Sequence, residues 1–226
     1  MATAPPKRAL ARPIFIIALL AFLSAACSTA PLPFKGTRLT AESPAYAFML
    51  HDQFGEEAGL SDHRGKVVLL TFLYTNCPDV CPITTSQLRS AREMLGDSAD
   101  DVAIVAVSVD PERDSTEAAY QFSERWRMTD IWSYLVGTED ELRPIWNAYY
   151  LDPAIPDSRS ERGVAETEVD DDEHPAGSTD ASIAHSYLVI HSAPIYLIDR
   201  EGRMRVVFTL PFVTEDLVHD VKLLLG

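Results

Sequence analysis

The sequence is short of basic residues and of cysteine, and it contains no internal repeat. Lys and Arg together number 19 against 34 Asp and Glu, so the formal net charge is -15. This deficit argues against a nucleic-acid partner, because binding to phosphates requires a basic face. The 226 residues, of which 46% are hydrophobic, can build one domain with a substantial core but not two.

The chain also lacks a hydrophobic run of the roughly 20 residues that a membrane-spanning helix requires. The apolar run PIFIIALLAFLSAAC (residues 13–27) is shorter, and three basic residues precede it. A basic segment followed by a short apolar run and small residues is typical of a secretory signal. Cys27 directly follows Ser-Ala-Ala, in a pattern that resembles the bacterial lipoprotein cleavage box.

We therefore expect residues 1–27 to be a leader that ends in a lipidated Cys27, with an uncleaved amino-terminal anchor as the alternative. Both predict a domain outside the cytoplasm and at a membrane, on its periplasmic face. Residues 28–45 are small, polar and proline-containing, which is typical of a tether. The domain is then expected over residues 46–226.

The middle of the chain alternates between strand-like and helix-like segments. VVLLTFLYT (67–75) and VAIVAVSVD (102–110) have no polar alternation, which indicates strands buried on both faces. A helical pattern follows each of them, and a short strand and a third helix come next. This order predicts an α/β fold in which a central, mostly parallel sheet is flanked by helices.

Further elements are predicted before and after this alternating segment. Gly55 and Gly65 interrupt short strand-like pieces near the start, which predicts an amino-terminal hairpin. Residues 152–184 are acidic and nearly free of large apolar side chains, so we expect a flexible insertion there. A second hairpin is predicted around the turn at residues 199–202, and a helix over residues 214–226 closes the chain.

Two of the three cysteines lie in TNCPDVCP (residues 75–82), between a predicted buried strand and a predicted helix. Ligands commonly bind at the carboxyl ends of such strands, and a helix amino terminus lowers the pKa of a nearby thiol. If the segment is helical, the four-residue spacing places Cys77 and Cys81 on one helical face. Thioredoxins have a similar strand-to-helix thiol pair with two intervening residues, whereas this chain has three.

The pair is compatible with a structural disulfide, a redox pair or a metal site. A disulfide here would close a very short loop and would constrain the unfolded chain little. Two sulfur ligands favour copper(I), whereas a structural zinc site usually has four ligands. Among the six histidines, His191 is the candidate third ligand, because it immediately precedes a sheet strand that a thioredoxin-like fold brings beside the cysteine helix.

Three motifs, GKVVLLTFLYTNCPDVCP, VSVDPERD and HSAPIYLIDREGR, resemble the Sco/SenC family of membrane-anchored, thioredoxin-like copper proteins. The resemblance extends from about Phe48 to the end of the chain. It implies one copper ion bound by Cys77, Cys81 and His191. It also implies a role in assembling the binuclear copper site of cytochrome c oxidase, by copper delivery or by reduction of that site's cysteines.

The same resemblance implies protein partners and additional residues near the site. The partners would be the copper-bearing oxidase subunit and proteins that donate copper or reduce thiols. Asp79 and Asp110 match family positions near the metal, and we expect Asp79 to tune the site and contact the helix terminus rather than bind metal. DPERD (110–114) has an equally weighted alternative, in which its charges form a turn and cap the next helix. Ile190 stands where the family usually has aspartate.

A copper-binding assembly factor, or metallochaperone, is therefore the first functional hypothesis. The second is an extracytoplasmic thiol-disulfide oxidoreductase that uses Cys77 and Cys81 as a catalytic redox pair without carrying copper. A peroxidase-like enzyme is a third, but the sequence shows no dedicated threonine-arginine constellation for it. The first two hypotheses differ at His191, which only a copper carrier requires as a ligand.

Overall fold

A six-stranded sheet organises the part of the chain that the computed structural model describes, namely residues 33–39, 43–151 and 193–226. Its order is β1-β8-β7-β4-β5-β6, and β2 and β3 form a separate two-stranded sheet. The strands are β1 (Thr37–Arg38), β2 (Met49–His51), β3 (Glu57–Gly59), β4 (Val67–Leu73), β5 (Val102–Ser108), β6 (Ser133–Leu135), β7 (Ile195–Ile198) and β8 (Met204–Phe208).

The two strands at the centre are the apolar runs that the sequence predicts to be buried. Every residue of β4 and β5 is buried, and the two strands pair in parallel from Val67 opposite Val102 to Leu73 opposite Ser108. β6 continues the parallel part, whereas β7 pairs antiparallel with β4 and β8 pairs antiparallel with β7. Most strands therefore point the same way as β4, but the sheet is mixed.

Four α-helices flank this sheet in the described residues: α1 (Val80–Leu95), α2 (Thr116–Trp126), α3 (Glu139–Ala148) and α4 (Thr214–Leu225). α1 and α4 pack against each other. At the end of α3, the ring of Tyr149 lies 5.3 Å from that of Phe72 in β4. The predicted α/β architecture is confirmed, as are both hairpins, β2–β3 and β7–β8.

Part of the predicted tether belongs to the domain instead. Thr37 and Arg38 form β1 and pair with Val207 and Val206 of β8. The carboxylate of Asp220, fully buried in α4, accepts hydrogen bonds of 2.9 to 3.0 Å from the backbone N–H groups of Lys35 and Gly36. These contacts explain why a segment with the composition of a linker is held in place.

Several sequence predictions fall outside the described residues. They concern the leader 1–27 with Cys27, the acidic insertion 152–184 and His191. Within the described ranges, no helix combines the length and hydrophobicity needed to cross a membrane.

We expect Asp220→Ala to lower the free energy of unfolding by about 1–3 kcal/mol, because it leaves the N–H groups of Lys35 and Gly36 without their acceptor. Limited proteolysis should then cut near β1 faster than in the wild type. Lys222→Ala, an exposed change in the same helix, is the matched control and should alter neither property. Equal stability and cleavage in the two variants would contradict this role of Asp220.

Candidate functional site

The cysteine pair lies in the turn that joins the buried strand β4 to helix α1. β4 ends at Leu73 and α1 begins at Val80, so Cys77 lies in the connection and Cys81 in the first turn of the helix. The backbone N–H of Cys81 donates to Sγ of Cys77 at 3.3 Å. An otherwise unpaired donor at the helix amino terminus is thus used to bind the sulfur atom.

The two thiols are both reduced in this structure, but they differ in burial. Cys81, in the first turn of α1, is completely buried, whereas Cys77 is 8% exposed. A reactant or metal that approaches from solvent therefore meets Cys77 first. Cys81 is placed to act behind it as a second ligand or as a resolving thiol.

Hydrogen bonding and burial push the pKa values of the two thiols in opposite directions. The pKa of Cys77 is lowered to about 6, chiefly by a hydrogen bond from the Cys81 side chain. Burial opposes this shift, while the backbone N–H groups of Asp79 and Cys81 and the hydroxyl of Tyr74 add to it. The pKa of Cys81 is raised, first by burial and then by its bond to Cys77 and the charge there.

A buried carboxylate, Asp114, fixes the chain just before Cys77. Its Oδ1 accepts from the backbone N–H of Thr75 at 3.0 Å and from the Thr75 hydroxyl at 2.6 Å. Its Oδ2 accepts from Ser108 Oγ at 2.7 Å and from the Tyr134 hydroxyl at 3.1 Å. One side chain therefore links the carboxyl end of β4 to β5 and β6.

Comparison with known proteins identifies this arrangement. The SCO1/SenC family model matches residues 37–226, which is nearly the whole of the described domain. The chain belongs to the SCO1/SenC family. The thioredoxin-like fold predicted from the sequence is therefore confirmed.

Individual relatives match most of the chain at moderate identity. The SCO2-like protein of Rickettsia prowazekii is 26% identical over 175 residues, covering 77% of this chain and 74% of its own. Bradyrhizobium japonicum ScoI, solved with copper bound, is 27% identical with a TM-score of 0.60, covering 80% of this chain and 99% of its own. Apo Sco1 from Thermus thermophilus is 28% identical with a TM-score of 0.62, and the coverages are 84% and 96%.

The described residues of this SCO1/SenC chain supply two sulfur donors for a metal. No group of three or more His, Cys, Asp or Glu side chains in those residues is arranged to hold a metal ion. His51 lies in the β2–β3 hairpin, His63 lies near the β7–β8 turn, and His219 bonds to Asp220. None of these three joins the cysteines, and His191, the expected ligand, lies outside the described residues.

Asp79 occupies the position before α1, but its side chain makes no capping hydrogen bond. The side chain of Asp79 therefore does not cap the helix, and its expected tuning of the site stays a prediction. The physical reason is the backbone: its angles, φ -130 and ψ -86, are not the extended ones from which a capping side chain folds back. Asp79 instead contributes its backbone N–H to Cys77.

The DPERD segment forms a turn, as one of its two interpretations predicts. The backbone N–H groups of Arg113 and Asp114 both donate to the carbonyl oxygen of Asp110. Asp110 is buried with its Oδ2 2.5 Å from Nε of Arg113, and burial raises the pKa of Asp110. The next helix is capped by Ser115, whose Oγ accepts from the N–H of Ala118 at 3.1 Å.

Asp114 is the residue that sequence reasoning missed. It is the last residue of DPERD, in which the family resemblance points only to Asp110. A signal was present, because neighbouring parallel strands end at the same edge of a sheet. A short acidic turn directly after β5 is thereby brought beside the residues that follow β4.

We expect iodoacetamide to modify Cys77 and not Cys81 in the reduced, metal-free protein. The thiolate is the reacting form, so the rate should fall as the pH is lowered through about 6, where Cys77 becomes protonated. Mass spectrometry of peptides labelled between about pH 5 and pH 8 measures both quantities.

Cys81→Ala provides the control for this experiment. It removes the hydrogen bond that contributes most to the low pKa of Cys77, so the same fall in rate should move to higher pH. Equal labelling of both thiols in the wild type, or an unchanged profile in Cys81→Ala, would contradict the described asymmetry.

Proposed function

We propose that this chain is a membrane-anchored copper-binding protein that helps to assemble the binuclear copper site of cytochrome c oxidase. Copper is its cargo, and Cys77, Cys81 and His191 are the proposed ligands. The partners are then the copper-bearing oxidase subunit and the proteins that donate copper or reduce the cysteine pair. Membership of the SCO1/SenC family and the likeness to copper-bound ScoI support this proposal.

One observation carries the proposal: two reduced cysteines lie in direct contact at the amino terminus of a helix. Sulfur is a soft donor that suits copper(I), and oxygen-rich clusters suited to hard cations do not occur in the described residues. The N–H of Cys81 already points at Sγ of Cys77, so the helix terminus stabilises negative charge on a sulfur ligand. The donor set therefore fits copper.

The strand pairing supports His191 as the third ligand. β7 begins at Ile195, which pairs with Thr71 in antiparallel β4. The chain before β7 therefore approaches the edge of the sheet at which β4 ends and the cysteine turn begins. Ala193 is buried at this edge, and His191 precedes it by two residues.

The different burial of the two thiols favours a second candidate function, thiol-disulfide exchange. The Cys77 thiolate would attack a client disulfide and form a mixed disulfide, releasing one client thiolate. Cys81, losing its proton, would then displace the second client sulfur and close a Cys77–Cys81 disulfide. The client gains two electrons from the pair, one proton from Cys81 and a second proton from solvent, and an external dithiol protein must later reduce the pair again.

Copper(I) competition against a chromophoric chelator tests the proposed ligands in the reduced protein. We expect one copper per wild-type chain and no stoichiometric binding by Cys77→Ser or Cys81→Ser. Loss of a residue that only hydrogen-bonds to a metal ligand typically lowers metal affinity about 10–100-fold. His191→Ala removes a proposed ligand itself, so it should weaken copper binding by at least about tenfold.

His63→Ala and His219→Ala are matched controls, because both histidines lie apart from the cysteines in the structure. Both should bind copper like the wild type. If His191→Ala also does, the proposed ligand set is wrong. If the wild type holds no copper yet exchanges disulfides, the oxidoreductase is the better description.

We also propose that residues 1–27 are a leader and that lipid on Cys27 anchors the domain outside the cytoplasm. The supporting pattern is the short apolar run that ends in Ser-Ala-Ala-Cys. Labelling of the full chain with a radioactive fatty acid should mark the wild type and not Cys27→Ser, which should shift to the soluble fraction. An unlabelled wild type that stays in the membrane would favour an uncleaved helical anchor instead, and a labelled Cys27→Ser would show that the lipid is attached at another residue.

A further inference from the structure

We propose that Asp114 is the positioning residue of the thiol pair: by holding Thr75, it fixes the approach of Cys77 to Cys81. It is assigned no contact with metal or client. The proposal rests on the proposed function in one respect, namely that Cys77 and Cys81 are the functional thiols. It can be tested without copper.

The position of Asp114 is itself determined by buried contacts. The side chain is 5% exposed, and its backbone N–H donates to the carbonyl of Asp110 at 2.9 Å, which closes the DPERD turn. On the far side of the carboxylate, Ser108 and Tyr134 anchor Oδ2 to β5 and β6. Oδ1 is left to face the end of β4.

The contact with Thr75 is what connects this anchor to the thiols. Two donors of Thr75, its N–H and its hydroxyl, converge on the single atom Oδ1. Thr75 lies between Tyr74, whose carbonyl accepts from the N–H of Cys77 at 3.3 Å, and the cysteine itself. Two contacts therefore fix the backbone that leads to Cys77: Asp114 binds Thr75, and the carbonyl of Tyr74 binds the N–H of Cys77.

Asp110 and Asp79, the carboxylates expected near the site, do not have this role. Asp110 pairs with Arg113 within its own turn. Asp79 is exposed and its side chain forms no cap. Asp114 is thus the carboxylate that bonds to the segment between β4 and Cys77, across 39 positions of sequence.

Fixing Cys77 has a chemical consequence that can be measured. Reduction of the Cys77–Cys81 disulfide by dithiothreitol yields two protein thiols and cyclic oxidised dithiothreitol, so two electrons and two protons move to the protein. The equilibrium depends on how well the fold holds the sulfurs together. A looser Cys77 has a lower effective concentration at Cys81, and the disulfide becomes easier to reduce.

The test is the equilibrium of the metal-free full chain, in detergent, with reduced and oxidised dithiothreitol. We expect Asp114→Asn to favour the dithiol about tenfold over wild type, a rise of about 30 mV in midpoint potential. Thr75→Val, which removes the hydroxyl donor at nearly constant shape, should shift it in the same direction. Thr75→Ser keeps that donor and should restore the wild-type equilibrium.

Asp199→Asn is the matched control. Asp199 is also a buried carboxylate, and it is bonded to Arg203 and Arg205. It lies in the β7–β8 turn, next to the start of β4, whereas the cysteine turn follows the end of β4. It should lower the melting temperature without changing the thiol equilibrium. If Asp114→Asn does not fold, the comparison of Thr75→Val with Thr75→Ser decides.

Wild-type thiol equilibria in folded Asp114→Asn and in Thr75→Val would overturn the proposal and leave Asp114 a purely structural residue. The same shift in Asp199→Asn would overturn it too, since the effect would then follow general destabilisation. Copper is absent throughout these measurements. A protein that binds no copper can therefore still pass this test, and a copper-binding protein can fail it.

Discussion

The structure of the site depends on one contact, the hydrogen bond from the backbone N–H of Cys81 to Sγ of Cys77 at 3.3 Å. It exists because a strand buried on both faces ends where a helix begins, and the helix terminus has donors that need acceptors. A second hydrogen bond, from the Cys81 side chain, contributes most to the low pKa of Cys77, and burial contributes most to the raised pKa of Cys81, so Cys77 favours the thiolate while Cys81 retains its proton. The proposed copper binding and the proposed disulfide exchange would both start from this pair of states.

Much of this was predictable from local sequence patterns. The uninterrupted apolar run in β4 and β5 predicts central strands, because only a sheet covered on both faces tolerates such runs. The glycine in the turn at residues 199–202 predicts the β7–β8 hairpin, and Gly202 indeed has a φ of +81. The cysteine turn follows from these elements, since it connects a predicted strand to a predicted helix.

Other features required contacts between distant parts of the chain. The segment before β2 has the composition of a tether, yet β8 and Asp220 hold Phe34 to Leu39 against the domain. In the sequence alone, nothing distinguishes Asp114 from other acidic residues in turns. Its bond to Thr75 becomes apparent only when β4 and β5 are paired side by side. In the opposite case, Asp79 has the sequence position of a helix cap, but its backbone angles prevent capping.

The central claim is that the two sulfurs and a histidine together hold one copper ion. X-ray absorption spectroscopy at the copper edge of the reduced, copper(I)-loaded protein tests it most directly. The account predicts two sulfur scatterers and one imidazole nitrogen per copper, with the imidazole contribution lost in His191→Ala. A spectrum with one sulfur or none, or an imidazole signal that persists in His191→Ala, would contradict it.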